Sequence, residues 1–347
     1  MLADQLDYVI GVDTHRDRHA VAVVESRTGV VVFEAVVAAD SGGYAEVLQA
    51  AEQHAPGPRA FAVEGTGSFG AGLTRSLTDE GEQVFEVGRV RRERRSGGKT
   101  DALDAVRAAR SMLNGKSPTI PRASGEREAL RSLITTREGA VCARTAALCQ
   151  LRDLIVIAPE PLRSELRHLS RARLLARLAS ARPDRRHDPE LRGTHLALKS
   201  VARRIQQLTA EERELAHEIE QLTTKLAPQL LDQPGIGPLL AAQLLLSWSH
   251  PGRVRTEAAF ARLAGAAPIP ASSGQTIRHR LDRTGDRKLN RTLHQIIVTR
   301  RRFDPTTIAY IERRVSEGKT RREATRCLKR YLARHLYRLL ENPPAAT

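Results

Sequence analysis

The amino-acid sequence predicts a mixed α/β N-terminal region followed by a long helical body, and three observations carry that reading. Apolar runs of strand length crowd into residues 8–87 and are separated by helical periodicity. Residues 1–88 hold 5 basic and 14 acidic residues (net −9), whereas residues 89–347 hold 51 and 26 (net +25). From 198 to 226, apolar positions recur at alternating spacings of four and three. With 347 residues, the chain also exceeds the roughly 250–300 at which single cores stop growing, so at least two folding units are expected.

The elements follow in order. Tyr8-Val-Ile-Gly-Val-Asp13 is a buried apolar run, residues 19–25 form a second and 30–37 a third, with turn chemistry at Ser26-Arg-Thr-Gly29. Helical periodicity over about 42–54 leads to a strand at 59–64, a helix over 68–80, a strand at 83–87 and an alanine-rich helix over 100–113. The order β-β-β-α-β-α-β-α describes a mixed sheet that opens with a meander, unlike the strict alternation of a doubly wound fold.

Pro118 and Pro121 mark a boundary, after which 122–157 read as one long helix and the Arg-, Pro- and His-rich stretch 181–189 as a loop. Val201, Ile205, Leu208, Leu215, Ile219, Leu222 and Leu226 span about four heptads, breached only by Glu212. A coiled-coil arm or an antiparallel helix pair is expected; a coiled coil would imply self-association. Pro228 to Pro234 ends the arm, and helices are expected over 238–248, 254–264, 285–302, 306–316 and 320–340, with irregular chain over 265–285. The predicted domains are therefore 1–117, 118–228 and 229–347.

A formal charge of +16 makes a polyanion the first partner to consider. An acidic head on a basic body fits metal binding in one part and nucleic-acid binding in the other. The three cysteines, Cys142, Cys149 and Cys327, are too few and too scattered for a zinc site or a disulfide framework, which fits a reducing cytoplasm. No apolar stretch approaches the ~20 residues of a membrane span, and no signal peptide is evident. Only 12 aromatic residues argue against extended base-stacking platforms.

Four carboxylates stand at strand and helix ends: Asp13 closes the first strand, Glu64 the fourth, and Asp101 and Asp104 share one face at the start of the last head helix. Singly, each can cap a strand or complement a helix dipole. Together on one sheet edge they repel unless cations neutralise them, and hard divalent ions bound by oxygen can stabilise both the attacking and leaving oxygens of phosphoryl transfer. A rival lies alongside: Gly65-Thr-Gly-Ser-Phe-Gly70 fits a dinucleotide-binding turn, but follows the fourth strand instead of the first, and a strongly basic body has no role in a small dehydrogenase.

Further signals concern phosphate. Arg89, Arg91, Arg92, Arg94 and Arg95 crowd one short run before Asp101, suited to phosphate positioning as well as to a solvated face. Pro234-Gly235-Ile-Gly237-Pro238 resembles the hairpin of a helix-hairpin-helix, whose backbone amides take a phosphate. Ser272-Ser273-Gly274 precedes Arg278, His279, Arg280 and Arg283; a serine needs activation to act as a nucleophile, and flanking arginines would bind the phosphate it attacks.

The arrangement of the four carboxylates resembles the RNase H-like fold of RuvC-type nucleases. Ile10-Gly-Val-Asp13-Thr-His, Val63-Glu64-Gly-Thr-Gly, Lys99-Thr-Asp101-Ala-Leu-Asp104-Ala, Pro234-Gly-Ile-Gly-Pro238, Pro268-Ile-Pro-Ala-Ser-Ser273-Gly274 and Thr284-Gly-Asp-Arg-Lys-Leu-Asn-Arg291 follow in order. The whole series resembles the DEDD transposases of bacterial insertion sequences that work with a bridge RNA. That resemblance implies a RuvC-like α/β N-terminal domain, a helical coiled-coil middle and a mostly α-helical C-terminal transposase domain. It implies Mg²⁺ (or Mn²⁺) on Asp13, Glu64, Asp101 and Asp104, and Ser273 as the nucleophile that joins a DNA end, with Ser272 as the neighbouring alternative. The partners it implies are donor and target DNA, a structured noncoding bridge RNA and further copies of the chain, as a dimer or tetramer, in the bacterial cytoplasm. A RuvC-like endonuclease or junction resolvase would use the same carboxylates with water as nucleophile.

Overall fold

The computed structural model describes residues 2–88, 101–113, 119–182, 188–271 and 279–343. Arg89, Arg91, Arg92, Arg94, Arg95, Ser272, Ser273 and Arg278 lie outside the described residues. The chain forms two compact units, Met1–Ser124 and Gly125–Thr347.

The first unit contains β1 (Tyr8–Thr14), β2 (Arg18–Glu25), β3 (Val31–Ala38), α1 (Ser41–His54), β4 (Arg59–Glu64), α2 (Ala71–Asp79), β5 (Val84–Val87) and α3 (Asp101–Leu113), in the predicted order. The sheet runs β3-β2-β1-β4-β5. β1–β2 and β2–β3 pair antiparallel, whereas β1–β4 and β4–β5 pair parallel. The antiparallel meander needs only short turns, while the return to β4 requires the α1 crossover.

Side-chain alternation divides the core between two faces. Val9, Ala20, Ala22, Ala60 and Ala62 lie under Ala105, Ala108, Ala109 and Met112 of α3. These small residues let the helix approach closely. On the other face, Ile10, Val12, Val21, Phe61 and Val63 pack with Val47 and Ala51 of α1 and Leu73 and Leu77 of α2.

The second unit is helical: α4 (Glu126–Val156), α5 (Glu160–Leu166), α6 (Arg171–Ser180), α7 (Pro189–Leu226), α8 (Pro228–Leu231), α9 (Pro238–Trp248) and α10 (Glu257–Leu263) precede a hairpin of β6 (Ile269–Pro270) and β7 (His279–Arg280). Three helices close it: α11 (Arg287–Arg300), α12 (Pro305–Ser316) and α13 (Arg321–Glu341). α4 and α7 form an antiparallel pair. Lys225 meets Glu126 at one end, and Arg137 and Arg144 of α4 meet Glu212 further along. Val201, Ile205 and Ile219 of the heptad seam are buried within the chain itself. Leu198, Val201, Ala202 and Ile205 join α5 and α6 in one cluster, while Leu130, Ile134 and Ile219 join a second core with α9, α11 and α13.

Candidate functional site

The parallel register Val12↔Val63 carries the C-terminal ends of β1 and β4 to the same edge of the sheet. Asp13 has the parity of Val9 and Gly11, and Glu64 that of Ala60 and Ala62, so both belong to the α3 face. The Thr14 hydroxyl donates to the Glu64 carbonyl oxygen at 2.7 Å and ties the two strand ends together.

α3 supplies the other two carboxylates. Ala105 rests against Gly11, so Asp101, one turn earlier, stands beside the end of β1. Oxygens of Asp13 and Asp101 and a ring nitrogen of His15 all lie within 4.8 Å of one another. His15 Nε2 is 3.2 Å from Asp13 Oδ2 and 3.6 Å from Asp101 Oδ1, and the Arg18 guanidinium reaches Asp101 at 4.0 Å. Glu64 and Asp104 lie outside this group: Glu64 ends the adjacent strand, and Asp104 accepts from Arg107 at 2.6 Å.

Burial raises the pKa of Asp13 above the ordinary carboxylate value; His15 opposes the shift, while Asp104 and Asp101 add to it. A carboxylate only 9% exposed, held near two others, is a site where positive charge is favoured. The donor set of carboxylate oxygens and one imidazole fits a divalent ion.

His15 is not among the metal ligands expected from the sequence. His15 and His19 do not bring their rings together: His19 is fully buried and stacks on Tyr44, at a centroid distance of 6.0 Å. His15 instead opens the tight return from β1 to β2, where its backbone N–H donates to the Arg18 carbonyl, and the turn holds its ring beside Asp13. The Asp-x-His spacing at a strand end was the available signal.

In the glycine-rich run after β4, a Cβ on Gly70 would lie 3.0 Å from Thr14 Cγ2 and 3.1 Å from Val63 Cγ1. That glycine lets α2 start close against the sheet edge. In the second unit, Gly235 has φ +73° and the Arg300 Nε donates to the Pro234 carbonyl at 2.6 Å, while Gly237 is the N-cap of α9. This turn borders a cleft of about 750 Å³. Arg280 and Arg283 line a separate cavity of about 840 Å³ bounded by α11, α12 and α13.

Comparisons with known proteins find two transposase profiles along the chain. Residues 10–158 match a transposase profile of the DEDD IS110 type, and residues 227–312 match the profile described as transposase IS116/IS110/IS902 family. A 43.6 kDa protein of insertion element IS110 from Streptomyces coelicolor, described as uncharacterized, is 32% identical over 118 residues, or 34% of this chain and 29% of the relative. A 42 kDa protein of insertion element IS900 from Mycobacterium paratuberculosis, also described as uncharacterized, is 28% identical over 159 residues, or 43% of this chain and 39% of the relative. Thus the matched stretches span well under two thirds of either relative. Among the described residues, no helix is long and apolar enough to cross a membrane.

Proposed function

The chain belongs to the IS110 family of DEDD transposases, and from that premise we propose that it is the DNA transposase of an insertion sequence, cutting and rejoining donor and target DNA. The observation that carries the reading is the convergence of Asp13, His15 and Asp101 where β1 and β4 end. The basic character of the rest of the chain supports a nucleic-acid substrate.

In this reading, residues 1–117 are a RuvC-like metal domain, 118–228 a coiled-coil arm and 229–347 the transposase domain. Asp13, Glu64, Asp101 and Asp104 hold Mg²⁺ or Mn²⁺, which when bound supplies positive charge to the phosphate and its attacking and leaving oxygens. Ser273 Oγ attacks phosphorus: the serine O–P bond forms as the P–O bond to the departing sugar breaks. The serine proton goes to a nearby base, and the departing oxygen takes up a proton. The phosphoserine bond preserves the phosphodiester energy for rejoining, so no ATP is needed. Arg89, Arg91, Arg92, Arg94, Arg95, Arg278, Arg280 and Arg283, with the backbone amides at Gly235 and Gly237, hold phosphates. Sequence choice is delegated to a structured bridge RNA, and two or four copies assemble so that one protomer's carboxylates serve another's serine.

The test uses full-length protein with donor and target DNA, RNA transcribed from the noncoding sequence flanking the gene, and Mg²⁺. A denaturation-resistant protein–DNA adduct is expected, lost in Ser273→Ala and kept in Ser272→Ala. Cleavage without an adduct, unchanged by both substitutions, would assign the reaction to a water nucleophile. Unaltered DNA chemistry in Asp13→Ala would overturn the metal assignment.

A further inference from the structure

Among the described residues, the cavity of about 840 Å³ in the second unit is lined by nine Lys and Arg side chains and two carboxylates, Asp282 and Glu323. Both carboxylates are engaged by threonines: Asp282 accepts from the backbone N–H and hydroxyl of Thr284, and Glu323 from those of Thr320. Most of the lining arginines are exposed, whereas Lys329 is half-buried. Its ammonium donates to Asn290 Oδ1 at 2.9 Å, and the Asn290 amide donates in turn to the Ala264 carbonyl at 2.6 Å. The lysine is thereby held in one direction. Burial and the neighbouring Arg326 lower its pKa, as expected for a cation without an anion in a basic enclosure.

The walls are built for this purpose by helix periodicity. Arg287, Asn290, Arg291 and His294 recur on one face of α11, and Arg326, Arg330 and Tyr331 belong to the first half of α13. The loops beside them are fixed by a backbone contact: a Cβ on Gly285 would lie 2.4 Å from the Gly265 nitrogen. Apolar groups also line the cavity, among them Ala266, Pro268 and Leu281, and its aromatic surface is a tyrosine pair. Tyr331 is 57% exposed and meets Tyr310 edge-on, with centroids 6.0 Å apart at 68°. An exposed aromatic face beside a cluster of cations suits a base and its phosphate together.

We propose that this cavity binds an unpaired nucleotide of a nucleic-acid strand, with its phosphate on Lys329 and its base against Tyr331. Asn290 acts as the positioning residue for the lysine. The identity of the anion as a nucleotide rests on the transposase reading; the cationic enclosure does not. A single tyrosine pair stacks one base, which agrees with a chain too poor in aromatics for a long stacking platform. The strand is DNA or RNA, both of which offer the same phosphate and base.

Fluorescence anisotropy of the full-length protein without divalent metal tests the proposal, using labelled twelve-nucleotide single strands of DNA and of RNA and a DNA duplex. Tyr331→Ala is expected to weaken binding of at least one single strand about tenfold and Tyr331→Phe to leave it unchanged. Lys329→Met should weaken the same strand and lower the log–log salt slope by about 0.7, with Lys329→Arg restoring most of the affinity. Duplex binding should change less than twofold. The strand that loses more identifies the occupant as DNA or RNA. Wild-type affinity in both Tyr331→Ala and Lys329→Met, an equal loss on duplex, or no single-strand binding by the wild type overturns the proposal. If the variants behave as expected but neither Mg²⁺-dependent cleavage nor an adduct is seen with donor and target DNA, the cavity assignment stands and the transposase reading falls. An adduct formed by a protein whose variants bind normally has the opposite meaning.

Discussion

Gly11 of β1 and Ala105 of α3 meet backbone to backbone: a Cβ on Gly11 would sit 2.0 Å from the Ala105 carbonyl oxygen and 2.7 Å from the Ala109 nitrogen. This contact sets how near Asp101 comes to Asp13. Gly11→Val must push α3 off the sheet, at a cost of about 1–3 kcal/mol for overpacking. The expected result is a lower melting temperature and a loss of Mn²⁺ affinity of about tenfold or more, since one pK-sized unit of binding free energy is ~1.4 kcal/mol. Calorimetric Mn²⁺ titration checks it; wild-type affinity in Gly11→Val would show that the contact does not position the carboxylates.

Asp13 works against the fold when no cation is present. Its pKa is raised in the folded state, by burial first and by Asp104 and Asp101 in addition. The folded state therefore holds this proton more tightly than the unfolded chain. Stability from this group is full below the ordinary value near 3.8, is lost as pH rises through the raised value, and stays lost at neutral pH. Asp13→Asn is expected to raise the melting temperature in chelator at pH 7, while Mg²⁺ should stabilise the wild type and leave the variant unmoved. A variant less stable than the wild type in chelator would refute this account.

The head was legible because its strands are short apolar runs separated by turn residues, and α3 because its alanines keep one face small. The helices α9, α11, α12 and α13 were legible from periodicity bounded by Pro or Asp. α5 and α6 were not, since both are short and α6 is rich in arginine, and only packing against α7 reveals the buried faces of Leu162, Leu166 and Leu178. Heptad spacing likewise could not tell a partner in another chain from one in the same chain; α4 covers the buried seam of α7 here. The carboxylates of the site carried a signal in their order. His15 depended on the direction of a turn, and the basic cavity on three helices meeting, neither of which a linear pattern encodes.

His19 makes the head sensitive to mild acid. Burial holds its pKa below the ordinary histidine value and His15 acts the same way, against the Arg18 backbone and Asp13. The unfolded chain therefore takes up a proton first as pH falls. The stabilising contribution is complete above the unfolded value near 6.5 and is lost as pH falls through the lowered value. Melting temperature should decline below about pH 6.5 in the wild type, and this part of the decline should vanish in His19→Phe, which keeps a ring against Tyr44. An identical pH profile in both proteins would exclude the histidine as the cause.

Glu212 is the single breach in the α7 heptads, and Arg137 and Arg144 of α4 close on it at 2.7 and 2.9 Å. The side chains are only 15%, 20% and 29% exposed, so this is no ordinary surface pair. Filling the seam with Glu212→Leu looks favourable by pattern alone. It leaves two half-buried guanidinium groups without their carboxylate, at a cost of about 1–3 kcal/mol that outweighs the added apolar contact. The triple replacement Glu212→Leu, Arg137→Met, Arg144→Met removes all three charges and should recover the wild-type stability or exceed it. Urea denaturation of the three proteins decides the matter. If Glu212→Leu alone is as stable as the wild type, the two arginines find water freely and the carboxylate serves only solubility; if the triple variant is the least stable, the ionic cluster itself holds the hairpin together.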